Sequence, residues 1–145
     1  MNQKTALKIS RLVLLLIAIV DLLKGFMHTY NVRYIAEEKA GIEPIPDSLA
    51  LFGMYGISNI LTGCLFILIV TKAPKLAPYV LLIIPLSYVL GGLGLKLEDV
   101  SWESDFKGRN LMSVYLPVCL LTAVYYFIVS FLQRSSGKKT EEGPA

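Results

Sequence analysis

The sequence predicts an all-α integral membrane protein, an antiparallel four-helix bundle with its N and C termini in the cytoplasm. Three observations predict it. The chain of 145 residues is 54% hydrophobic and only 17% charged, whereas soluble domains are about 45–50% apolar and about 25% charged. The apolar residues form long uninterrupted runs, and the basic residues concentrate in alternate connections. This apolar composition excludes a disordered chain. A disulfide scaffold is excluded because only two cysteines are present.

Four segments approach the length of about 20 mainly apolar residues that a helix needs to cross the hydrocarbon core. The last three contain no charged residue. Pro78 falls in a first turn, where a missing N–H is harmless, and the interior Pro85 is expected to kink its helix. The predicted spans are residues 6–27, 49–70, 76–95 and 111–132, within one domain over 1–134 that is followed by a flexible cytoplasmic tail, 135–145.

The first span is the least apolar, because it contains Arg11, Asp21 and Lys24. Its uncharged core, residues 12–20, is too short to cross a membrane alone, but extension to Met27 reaches the required length. A cleaved signal peptide is the alternative interpretation. No small-x-small cleavage site follows Met27, so we expect the first helix to be retained.

The distribution of basic residues predicts the orientation. The N-terminal segment before residue 12 and the link between the second and third spans contain Lys and Arg but no acidic residue. The other two connections, residues 28–48 and 96–109, are net acidic. Both termini are therefore expected in the cytoplasm. The formal net charge of +3 reflects this topology, and we predict no nucleic-acid partner. The basic residues concerned are Lys4, Lys8, Arg11, Lys72, Lys75, Arg134, Lys138 and Lys139.

The long connection over residues 28–48 has its own predicted structure. Arg33 and Glu37 are spaced i,i+4 and favour a helical continuation of the first span. Gly41 should end that helix, and Pro44 and Pro46 should give an extended return to Ser48. In the second outer connection, Trp102 and Phe106 are expected to anchor at the headgroup level.

The strongest functional pattern lies at the end of the first span. Asp21, Lys24, His28 and Asn31 recur within an arc of about 80° on a helix. A carboxylate at this depth is costly and should face protein. Two interpretations stay open: a structural Asp21–Lys24 pair, or a polar pocket that opens to the outside. A single histidine cannot by itself form a bis-histidine haem site or a histidine-rich zinc site, and we predict no metal.

Two other spans add candidate ligand-binding residues. Asn59 lies near the middle of the second span and could close the pocket below Asp21. Tyr115 and Tyr126 share a face of the fourth span with Cys119 and Thr122, where their hydroxyls could line a cavity or take part in polar packing between helices.

Small residues predict close helix contacts. Gly53, Gly56 and Gly63 share a face of the second span, and Gly91 and Gly94 share a face of the third. A glycine-rich nucleotide loop is disfavoured, because no strand precedes these glycines. The cysteines have no C-x-x-C spacing and are expected to be packing residues.

The layout resembles the DoxX-like group of small four-helix bacterial membrane proteins over about residues 8–132. The resemblance implies a bacterial inner membrane location and a quinone-facing or redox-accessory role, and it carries over no catalytic residue. It is carried by Arg11, by the Gly25/His28 region, by Gly56, Asn59 and Gly63, and by Gly91 to Gly94.

The leading functional prediction is a non-enzymatic binding or accessory protein. Its polar pocket would face the outer leaflet and take a lipid-like or quinone-like small molecule. One alternative is a membrane redox enzyme or quinone-linked oxidoreductase subunit that uses Asp21 and His28. The other is a homo-oligomeric pore or transporter. Membrane lipids and further copies of the chain are the expected partners, and no cofactor can be named.

Overall fold

The computed structural model describes residues 2–99 and 108–138, and every regular element within them is helical. Three predicted spans lie inside longer helices, and the span 76–95 begins at the last residue of a 3₁₀ turn and continues through α4. The elements are α1 (Gln3–Tyr30), α2 (Val32–Tyr34), a π-helical segment (Ile35–Ala40), α3 (Pro46–Lys72), a 3₁₀ turn (Pro74–Leu76), α4 (Ala77–Leu97) and α5 (Gly108–Lys138).

Within the described residues, three helical stretches are long and apolar enough to cross a membrane: Pro46–Lys72, Pro74–Leu97 and Leu111–Ser135. This finding indicates an integral membrane protein. The predicted first span lies in α1, which carries Arg11, Asp21 and Lys24 and is not one of these three stretches.

Helix α1 contacts α3, α4 and α5, and α4 also contacts α5. The pairs of residues that meet show that α3 and α5 run antiparallel to α1. Near its start, Arg11 reaches the Val70 carbonyl and Gln3 donates to Ser130 Oγ at 2.9 Å. Near its end, Asp21 meets Tyr115 and Gly25 meets Ile60. We call the end with Lys8, Arg11 and Lys72 the basic end, and the end with His28 and Tyr55 the aromatic end.

The core lies closer to the basic end and is organised around α1. Leu14, Ala18 and Ser10 are fully buried, and they recur at the helical spacing that turns one face toward the neighbouring helices. Residues 86–99, the second half of α4, are by contrast all exposed. The main core cluster consists of Leu14, Ile17, Ala18, Phe66, Val70, Ala77, Leu81, Cys119 and Ala123.

The connection between α1 and α3 confirms much of its sequence-based prediction. Helical structure continues from Val32 to Ala40 after a break at Asn31. Gly41 ends it with φ of +63°, a left-handed conformation that glycine adopts without steric cost. The Arg33–Glu37 pair forms at 4.0 Å. Helix α3 begins at Pro46, earlier than expected, because proline is well suited to a first helical turn.

Helix α4 begins at Ala77, so Pro78 lies in its first turn as predicted, and Pro85 lies inside the helix. Helix α5 extends to Lys138, which makes the first part of the predicted flexible tail helical. Trp102, Phe106 and residues 139–145 lie outside the described residues.

Candidate functional site

The centre of the candidate site is the Asp21 carboxylate. Asp21 is only 5% exposed, and its Oδ2 accepts a hydrogen bond from the Tyr115 hydroxyl at 3.2 Å. The antiparallel packing of α5 on α1 brings these two residues together across 94 positions of sequence. Both are predicted ligand-binding residues, but their contact with each other was not predicted.

The direct Asp21–Lys24 ion pair, one of the two sequence interpretations, is not formed. Among the side chains that the structure describes, only Arg33 and Glu37 form an ion pair within 4.0 Å. The nearest hydrogen-bond donor to Asp21 comes instead from the neighbouring helix, through Tyr115. Lys24 still acts electrostatically on the Asp21 carboxylate, but it is only partly buried and lines a cavity at the aromatic end.

Tyrosines from the other two long helices complete the surroundings of Asp21. Tyr88 of α4 lies close to Tyr55 of α3 and in the neighbourhood of Asp21. The buried Cys119 of α5 also lies within electrostatic range of Asp21. All four long helices therefore contribute to one polar cluster, which we define as Asp21, Tyr55, Tyr88, Tyr115 and Cys119.

Sequence reasoning did not select Tyr55 or Tyr88 as site residues. Tyr55 lies four residues before Asn59, on the same face of α3, and this spacing could have indicated it. Tyr88 lies at the exposed end of a predicted span, where a tyrosine is typical of headgroup anchoring.

His28 is held in one orientation at the aromatic end. Its Nδ1 lies 2.6 Å from the Lys24 carbonyl oxygen. Because a carbonyl oxygen can only accept, Nδ1 carries the proton, which leaves Nε2 of the neutral ring as an acceptor. The ring stacks on Phe52 with centroids 5.5 Å apart and meets the Tyr55 ring edge-on at 5.4 Å.

A cavity of about 140 Å³ opens beside the polar cluster. Hydrogen-bonding groups come from His28, Tyr55 and two lysines, while aliphatic and thioether side chains form the rest of the wall. The structure thus offers donors, one imidazole acceptor and an apolar surface in the same small space. The lining residues are Lys24, His28, Ile35, Lys39, Tyr55, Leu111 and Met112.

Asn31 does not line this cavity. The helix break at Asn31 leaves its side chain exposed, with Nδ2 4.0 Å from Met27 Sδ. It borders a separate open depression of about 510 Å³ together with Arg33 and Glu37. Tyr126 also lies away from the cavity, because it is 11 residues, or about 16 Å of helix, beyond Tyr115. It packs with Ala6 and Val129 at the basic end.

Asn59 lies at the level of the polar cluster. Gly63 meets Ala18 and Leu22, and Gly25 meets Ile60, so these antiparallel contacts place Asn59 beside the turn of α1 that follows Asp21. Its Nδ2 is buried and, within the described part of the chain, has no hydrogen-bond partner. Buried polar groups in native proteins are nearly always paired, but Asn59 is not among the residues that line the cavity.

The glycines predicted to mediate helix packing divide into two groups. A Cβ at Gly56 would lie 2.5 Å from Thr29 Oγ1, and one at Gly63 would lie 2.7 Å from Leu22 Cγ. Gly25 of α1 makes a similarly close contact with α3. At Gly53, Gly91 and Gly94 a Cβ would meet no atom within 4 Å, so their predicted packing role has no support among the described residues.

The described residues contain no group of three or more His, Cys, Asp or Glu that could hold a metal ion. Comparison with known proteins finds no matching family model, no similar curated protein and no similar solved structure. The site geometry alone therefore carries the functional argument.

Proposed function

We propose that this protein is a membrane-embedded binding protein whose cavity at the aromatic end holds the polar head of a lipid-like or quinone-like small molecule. The observation that carries the proposal is that the 140 Å³ cavity is lined by the tautomer-fixed His28 together with Lys24, Lys39 and Tyr55. Together these groups supply both hydrogen-bond donors and an acceptor beside an apolar wall.

The size of the cavity supports a head group rather than a whole ligand. Pockets that enclose a drug-sized molecule usually measure about 300–1,000 Å³, so 140 Å³ accommodates only a small polar head. Leu111 and Met112 form part of its wall, and the second half of α4 is exposed. An apolar tail would extend along these surfaces into lipid.

Asp21 supports the site without lining the cavity. Its hydrogen bond from Tyr115 joins α1 to α5, and Tyr88 of α4 lies in the same neighbourhood. We therefore assign Asp21 and Tyr115 a positioning role and expect Lys24, His28 and Tyr55 to contact the ligand.

Native mass spectrometry of the full chain, extracted gently from its own membrane, tests the proposal. Lys24→Gln and His28→Gln should each lose most of a co-purifying small molecule, because each removes a group that lines the cavity. Asn31→Ala is the control, since Asn31 is an exposed polar residue at the same end outside the cavity. Equal retention in all three variants would exclude this binding site.

The identity of the retained molecule distinguishes the two ligand classes. A quinone would support the proposed accessory role beside a redox enzyme, while a phospholipid or other amphiphile would support lipid binding. The same spectra report the subunit count, which tests the homo-oligomer.

We further propose that α1 also crosses the membrane, giving a four-helix bundle with both termini in the cytoplasm. The central position of α1 among α3, α4 and α5 supports this arrangement, as does the concentration of cations at the basic end. Cysteines introduced at Lys72 and Glu43 should be labelled from opposite sides of the membrane. Labelling of both from the same side would contradict the topology. Membership of the DoxX-like group, with its bacterial inner membrane location, stays a proposal.

A further inference from the structure

A second cavity lies at the basic end, distant from the proposed ligand site. It measures about 180 Å³ and is lined by two cations above three aliphatic side chains. The aliphatic residues come from both sides of the α1–α3 contact, so the cavity is a groove between two helices. The lining residues are Lys8, Arg11, Leu12, Leu15 and Val70.

Within residues 2–99 and 108–138, the two cations have no anionic partner. No Asp or Glu occurs in residues 1–20 or in residues 61–97. Among the side chains described, neither Lys8 nor Arg11 forms an ion pair. The neighbouring positive charges repel each other and attract an external anion.

Among the described residues, the Arg11 side chain makes one hydrogen bond, which leaves most of its donors unused there. Its Nη2 donates to the Val70 carbonyl at 3.4 Å, one of the last carbonyls of α3, which have no partner within the helix. A guanidinium has five N–H donors and binds phosphate with two of them at once. The remaining donors of Arg11 are therefore available above Leu12 and Leu15.

We propose that this groove binds the phosphate of an anionic phospholipid at the membrane surface of the basic end. Arg11 and Lys8 would bind the head group, and the exposed Leu12 with Leu15 would contact the start of an acyl chain. Basic pockets between transmembrane helices commonly bind anionic lipids in this way. The aliphatic wall directly below the cations favours a lipid phosphate over a soluble one.

The test uses native mass spectrometry of the full chain with phosphatidylglycerol and phosphatidylcholine of identical acyl chains. Wild type should retain phosphatidylglycerol preferentially. A cation near an anionic lipid surface contributes about 1 kcal/mol, or roughly a fivefold change in affinity. We therefore expect Lys8→Gln with Arg11→Gln to reduce retained phosphatidylglycerol by at least about tenfold, and to leave phosphatidylcholine unchanged.

The matched control is Lys72→Gln with Lys75→Gln, which removes two charges at the same end but outside the groove. It should retain most of the phosphatidylglycerol. An equal loss in the control would show a diffuse surface effect and would overturn the site. Equal retention in the groove variant would overturn it too.

Two further arms keep the test decisive. Lys8→Gln alone is useful if the double variant fails to fold, because Lys8 makes no hydrogen bond to another described side chain; an unchanged lipid preference in it contradicts the proposal. Inorganic phosphate that stabilises the protein against heat as well as phosphatidylglycerol does would overturn the lipid as the source of the phosphate.

Discussion

Helices α1 and α4 invert the usual relation between polarity and burial. Helix α1 carries Asp21, Lys24 and His28, yet it contacts the other three long helices. Helix α4 is charged only at Lys96, yet all of its residues from 86 onward are exposed. In a soluble protein the apolar helix would lie inside, because water drives its burial.

The difference follows from lipid acting as the solvent. Hydrocarbon is as apolar as a leucine side chain, so apolar surface gains little by leaving it. A carboxylate or an imidazole gains much more by finding a protein partner. Asp21 and His28 are accordingly less than a tenth exposed. Polar residues within a span thus predict which helix faces protein, while an unbroken apolar run predicts which helix faces lipid.

The largest expected effect comes from shortening one leucine in each helix. Leu14 of α1 is 0% exposed, whereas Leu90 of α4 is 70% exposed. Leu14→Ala should lower the free energy of unfolding by about 2–5 kcal/mol, because it leaves a cavity that neighbours cannot fill. Leu90→Ala should have little effect, since lipid or detergent fills the space.

Thermal or chemical unfolding in detergent micelles measures both variants against wild type. Similar destabilisation by the two substitutions would mean that the second half of α4 is covered by another chain. The comparison between α1 and α4 would then hold only for the isolated subunit.

A smaller effect is expected from filling the glycine positions. Gly56 of α3 faces α1 so closely that a Cβ would lie 2.9 Å from the Gly25 carbonyl oxygen. Gly56→Leu should therefore separate the two helices, and overpacking of this kind costs about 1–3 kcal/mol. Gly91→Leu is the matched control in α4, because nothing described lies within 4 Å of its Cβ position.

Melting temperatures of the two variants in the same detergent check this expectation. Equal tolerance of both substitutions would contradict the close α1–α3 contact. Loss of a higher oligomer in Gly91→Leu, with the subunit still folded, would show instead that the second half of α4 contacts another copy.

Local features of the fold followed well from the sequence. The three apolar spans, the helix end at Gly41 and the Arg33–Glu37 pair all depend on residues within a few positions of one another. Periodicity on one helix defines a face, but it does not identify the helix that covers that face. For this reason Gly56 and Gly91 looked equivalent, although in the described part of the chain a Cβ would meet a neighbouring helix at Gly56 and not at Gly91.

The candidate site depends on contacts between helices, and sequence predicted it less well. Asp21 and Tyr115 were each selected for their own helix, whereas their hydrogen bond depends on how α1 and α5 are rotated. Asn31 shares the Asp21 face of an ideal helix, but the helix breaks at that residue. Tyr126 shares the face of Tyr115, yet the distance along α5 takes it to the other end of the molecule.

The smallest expected effect concerns that hydrogen bond and sharpens the comparison at the level of single atoms. Tyr115→Phe removes the hydroxyl that donates to Asp21 and leaves the ring in place. Hydrogen bonds between transmembrane helices contribute about 0.6 kcal/mol on average and up to about 1.7, so Tyr115→Phe should lower the free energy of unfolding by about this amount. Tyr79→Phe is the control: it removes a hydroxyl from α4 and should leave the ring in place, because that ring packs edge-on against Phe127 at 5.2 Å.

Measured in the Asp21→Ala background, Tyr115→Phe should lose its effect, since a double-mutant cycle isolates the energy that the two residues share. An equal loss of stability in both backgrounds would show that Tyr115 acts through its other contacts and that the polar helix is held at the centre by packing alone.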